Sequence, residues 1–62
     1  MDLNQLEVGM HVNIQDNSEW HDSYGIIREK SDYEASVLSL RFPTKEYIIN
    51  NDTIKFIRLL NN

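Results

Sequence analysis

From Met10 to Leu60 the apolar residues recur at every second position in short runs separated by polar breaks. In Met10-His11-Val12-Asn13-Ile14-Gln15 the alternation places Met10, Val12 and Ile14 on one face of a half-buried first strand. A second strand over Tyr24 to Lys30 contributes Ile26 and Ile27. In a third, Ser36 to Phe42, the spacing turns Leu38, Leu40 and Phe42 the same way. Pro43 presets a backbone torsion suited to a tight turn, and Lys45 to Ile49 follows as a fourth strand of aromatic and β-branched residues. Asn50-Asn51-Asp52-Thr53 breaks the run, because such side chains bond to nearby backbone and favour a turn or a single 3₁₀ turn. Ile54 to Leu60 is then the fifth strand. The expected core is Val12, Ile14, Ile27, Leu38, Leu40, Phe42 and Ile49.

Helical spacing competes at both ends. Leu3, Leu6 and Met10 carry it, but Val8 and Gly9 weaken it; Ile54, Ile57 and Leu60 carry it too, against β-branched residues and a strand context. The first few residues and Asn61-Asn62 are expected to fray.

Length and charge bound what such a chain can be. Its 62 residues make one domain, residues 1–62, of a size that buries only about 60% of the unfolded surface. It contains no cysteine, so neither a disulfide, a thiolate metal site nor a cysteine nucleophile is available, and the fold rests on its apolar residues. No apolar run is long enough to span a bilayer, and the start Met1-Asp2-Leu3-Asn4 lacks the basic character of a secretory signal, so a soluble cytoplasmic protein that makes no membrane contact is expected. Ten acidic against six basic residues give a net charge of −4, which repels phosphate backbones at long range.

Five short strands with a long connection after the first suggest an all-β fold, a five-stranded antiparallel barrel with one 3₁₀ turn before the last strand, closed so as to hide its edges. Gly9 to Ile14, Trp20, Gly25-Ile26-Ile27, Val37 to Phe42 and Ile54 to Leu59 together resemble the SH3-like barrels. Within them the order is most similar to the KOW-type domains and the PsaE-type small subunit of photosystem I. KOW domains are usually basic, and the photosystem subunit presents basic residues to an acidic protein; this chain is acidic. The resemblance therefore implies a fold and a binding module without carrying over either partner.

The connection Asp16 to Gly25 is where candidate chemistry gathers. Trp20 and Tyr24 offer flat rings to a partner, and Asp16, Glu19 and Asp22 offer carboxylates to its Arg or Lys side chains, so these five residues are the expected surface for a protein or peptide partner of basic character. Trp20 can equally cap the open end of the barrel. His21-Asp22 lacks a nucleophile beside it, and the histidines and loop carboxylates follow no metal-ligand spacing, so no catalytic residue, metal or cofactor is expected. Tyr33 and Tyr47 are able to extend an aromatic surface, although a strand tyrosine more often buries its ring. A small non-enzymatic protein-interaction module, an accessory piece of a larger complex, is the leading expectation. The alternative is a KOW-like nucleic-acid binder using Arg28, Lys30, Arg41 and Lys55 on one face.

Overall fold

The computed structural model describes residues 1–60; the expected fraying of Asn61 and Asn62 lies outside the described residues. Five antiparallel strands, β1 (His11–Ile14), β2 (Ser23–Lys30), β3 (Ala35–Leu38), β4 (Glu46–Ile49) and β5 (Ile57–Leu59), form one curled, half-barrel sheet in the order β4-β3-β2-β1-β5. A 3₁₀ turn at Ile54–Phe56 leads directly into β5, so the last strand is shorter than the period-two pattern suggests. Asn50 makes the preceding break: its Oδ1 accepts from the backbone N–H groups of Asp52 and Thr53 at 2.8 and 3.1 Å.

The eight-residue β2 holds the sheet together. Its first half pairs with β1, from Ile14↔Ser23 to His11↔Ile26, and its second half pairs with β3, from Ile26↔Leu38 to Lys30↔Ala35. The register with β3 slips between Ile27 and Glu29, a bulge that bends the strand and increases its twist. Gly25 lies where that curvature brings β3 close: a Cβ built on it would stand 2.5 Å from both the Leu38 carbonyl oxygen and Val37 Cγ1. It is therefore close approach, not an unusual torsion, that requires glycine here.

Val12, Ile14, Ile27 and Ile49 face the core as the alternation predicts, joined by Val37, Ala35, Tyr47 and Ile57. The third strand departs from expectation. It ends at Leu38, and its inward residues are Ala35 and Val37, so Leu38 is 37% exposed and Leu40 97% exposed, while Phe42 is half-buried against the core. Side chains on a strand alternate between faces, so taking the opposite set as inward reverses every assignment in the segment. The hairpin at Ser31–Glu34, closed by Ser31 N–H donating to the Glu34 carbonyl at 2.8 Å, sets the pairing Ile27↔Val37 and with it the inward set. Past Leu38 the chain turns on Ser39, whose carbonyl accepts from Phe42 N–H at 3.2 Å and whose hydroxyl accepts from Arg41 N–H at 3.3 Å. Leu40 and Arg41 are carried outward by that turn.

The N-terminal residues are anchored, contrary to the expected fraying. Asp2 and Gln5 form a capping box around a 3₁₀ turn at Leu3–Gln5, and Leu3 and Leu6 enter the core. No helix among the described residues is long and apolar enough to cross a membrane.

Candidate functional site

The connection between β1 and β2 folds onto itself. The Asp16 carboxylate accepts from Ser18 N–H at 3.0 Å and from the Ser18 hydroxyl at 2.7 Å, and that hydroxyl in turn accepts from Trp20 N–H at 3.0 Å. His21 Nδ1 lies 2.6 Å from the Asp16 carbonyl oxygen, and Asp22 N–H donates to the Ile14 carbonyl at 2.7 Å. Burial alone would raise the Asp16 carboxyl, but the Ser18 donors outweigh it and hold it below the ordinary carboxylate range.

This scaffold drives Trp20 inward. The ring is only 7% exposed and packs 4.5 Å, centroid to centroid, from Phe42 and 5.6 Å from Tyr47. Of its two sequence readings, this buried packing fits the cap. The guanidinium of Arg41 and the ammonium of Lys45 lie 5.4 and 5.6 Å from the Phe42 ring centroid. The Tyr47 hydroxyl, buried near Asp16 and Thr53, closes no hydrogen bond of ordinary geometry; burial and the neighbouring carboxylate push it up to about 12. Tyr33, by contrast, stands exposed at the tip of the β2–β3 hairpin.

The five residues expected to meet a partner do not form one surface. Asp16 and Trp20 are buried, and Glu19 is exposed and paired with Lys45 at 3.4 Å. Asp22 and Tyr24 lie elsewhere, at the rim of an open groove of about 810 Å³ on the outer face of the sheet. Asp22 holds a left-handed backbone, φ 61°, and its carboxylate accepts from Asn13 Nδ2 at 3.3 Å and Gln15 Nε2 at 3.1 Å. The four basic residues divide as well. Arg28 and Arg41 line the groove; Lys30 borders a smaller depression near Glu29 and Ser36, and Lys55 stands over the Phe56 ring on the second 3₁₀ turn.

The groove is built by strand register. His11, Ile26 and Leu38 stand in line across β1, β2 and β3 on the outer face, and Tyr24 precedes Ile26 by two residues on the same side of β2. Leu40 and Leu60 extend the apolar floor beyond the strands. Tyr24 is 61% exposed, and with Ile26, Leu38 and Leu40 it forms a row of exposed apolar side chains on the outer face. The signal for it lies in the sequence as two apolar sets at opposite parity, Ile26 beside Ile27 and Leu38-Leu40 beside Val37. A strand apolar on both faces leaves one set exposed where the core covers only the other. Among the described residues, no group of three or more His, Asp or Glu side chains is placed to hold a metal ion.

No protein-family model, curated protein or solved structure matches the chain.

Proposed function

We propose that this chain is a small, non-enzymatic protein-interaction module of the SH3-like type, an accessory component of a larger complex, and that it engages its partner through the outer face of the sheet. The exposed apolar row of Tyr24, Ile26, Leu38 and Leu40 carries the reading. Each is a large side chain on a well-paired strand or on the turn that follows it, so the surface is preorganised and loses little conformational freedom on binding. The strand order and the 3₁₀ turn before the last strand support the SH3-like assignment. The β1–β2 connection then serves as lid and scaffold, and of residues 15–22 between the two strands only Asp22 reaches the groove.

Affinity capture from a native extract tests the reading. Leu40→Ser changes a side chain that is 97% exposed, so it should leave the thermal midpoint unchanged and abolish retention of the proteins the parent recovers. Equal retention by parent and variant removes the outer face from consideration, and retention lost on nuclease treatment favours the nucleic-acid alternative instead.

A further inference from the structure

A second depression, of about 200 Å³, lies on the outer face of the sheet beyond the groove. The ion pair of Arg28 with Glu46 divides the two, Arg28 lining the groove and Glu46 the depression. Its floor is Ser36. Ala35 and Val37 face the core, so Ser36 between them turns outward, where it stands in register between Glu29 of β2 and Ile48 of β4. Yet Ser36 is only 7% exposed, and its hydroxyl meets no hydrogen-bond partner in the protein. A hydroxyl enclosed in this way costs stability unless something pairs with it. The walls supply the rest of a site. Glu29, Glu34 and Lys30 are exposed there and take part in neither of the ion pairs among the described residues, Arg28–Glu46 and Lys45–Glu19.

We propose that this depression binds a primary ammonium on an alkyl stem, the side chain of a partner protein's lysine; only that source rests on the interaction reading above. The carboxylates of Glu29 and Glu34 and the hydroxyl of Ser36 are three acceptors for the three N–H groups of such a head, and Ile48, 40% exposed, covers the stem. With Glu46 already matched by Arg28, Lys30 offsets one of the two remaining carboxylates and leaves the other in surplus, so the local balance has the same sign as the chain's net charge of −4. A bare metal ion is a poorer occupant, because no three His, Asp or Glu side chains among the described residues are placed to hold one. A guanidinium is poorer too: its planar fork matches a single carboxylate edge on, whereas these acceptors come from two strands and the hairpin between them. The walls are exposed side chains, which reorient in nanoseconds or less, so the ammonium reaches the hydroxyl without a change in the backbone.

The test is a titration of the ¹⁵N-labelled protein, followed by amide resonances, with four amino acids capped at both ends: lysine, arginine, norleucine and Nε-acetyl-lysine. Capped lysine should saturably shift the amides of Glu29, Ser36 and Ile48, with the other three binding about tenfold more weakly. Ser36→Ala should weaken capped lysine by about the same factor. Because Ser36 is buried, Glu29→Gln provides a second variant at an exposed side chain, and it should weaken capped lysine about threefold at an unchanged thermal midpoint. Glu7→Gln removes the same charge from a residue that does not line the depression, and it should leave the affinity unchanged. Equal losses in Glu29→Gln and Glu7→Gln reduce the effect to the charge of the whole chain and overturn the site. Arginine or norleucine binding as tightly as lysine, undiminished affinity in Ser36→Ala, or no shift of these amides by capped lysine overturns it as well. The two readings fail separately. If lysine moves nothing here while Leu40→Ser still abolishes capture, the ammonium site falls and the interaction reading stands; if lysine binds here while Leu40→Ser leaves capture unchanged, the site stands and the apolar row falls.

Discussion

Replacing Trp20 by alanine empties the space between Phe42 and Tyr47 and leaves the β1–β2 connection without its internal anchor. Removal of a large buried aromatic costs about 3–5 kcal/mol, and a 62-residue domain has little more than that in total. Trp20→Ala should therefore unfold the protein or lower its thermal midpoint steeply. Leu40→Ala, at a side chain with almost no contacts, should stay within about 0.5 kcal/mol of the parent. Thermal melts of the two variants check this directly, and similar midpoints would contradict the burial of the ring. Gly25 and Gly9 separate in the same way. Valine at Gly25 must displace the β3 backbone at Leu38, whereas alanine at Gly9, where φ is +95° and nothing lies within 4 Å, meets only torsional strain of about 1–2 kcal/mol. In urea titrations Gly25→Val should be the more destabilised, and equal midpoints would mean that β2 and β3 do not approach so closely.

At the level of elements, β1 and β4 were legible because each presents one dominant apolar set, Val12 with Ile14 and Tyr47 with Ile49, and in β2 Ile27 was assigned inward although Tyr24 and Ile26 form a second apolar set on the other face. The third strand was not legible, because Val37 competes with the larger Leu38 and Leu40, and side-chain size favoured the wrong face. What decides between the faces is the pairing of Val37 with Ile27 and Tyr47, which no single segment contains. The candidate site follows the same division. Tyr24 and Asp22 were identified as surface residues of the connection, but Leu38 and Leu40 were assigned to the core and so missed as its floor. The short-range bonds of the β1–β2 connection, Asp16 to Ser18 and Ser18 to Trp20, are typical of Asp and Ser in turns, yet sequence spacing does not show that they aim the indole inward.

For the whole molecule, Asp16 and Tyr47 limit the pH range of stability from opposite sides. The Asp16 carboxyl is depressed in the folded state, so its contribution is present above the ordinary carboxylate pKa of about 3.9 and is lost as pH falls through the lower folded value. Tyr47 is raised to about 12, so its contribution is complete below the unfolded phenol pKa of about 10 and disappears as pH climbs toward the folded value. Denaturant midpoints measured across pH should fall at both ends. Asp16→Asn should flatten the acid limb, and Tyr47→Phe, which also removes an unpartnered buried hydroxyl, should flatten the alkaline limb at little cost near neutrality. An alkaline limb unchanged in Tyr47→Phe would assign that loss of stability to another group. The pairing of β1 with β5 also has a kinetic meaning. Every other strand pair joins neighbours in sequence, whereas Val12 meets Leu59 only after almost the whole chain has been gathered, and closing so long a loop carries the largest entropic cost in the sheet. The β1–β2–β3–β4 meander can form from local contacts before that closure, and the three-residue β5 docks on β1 last. On the reverse path β5 is the first strand to leave, so its amides should exchange with solvent through a partial opening that leaves β2 and β3 protected.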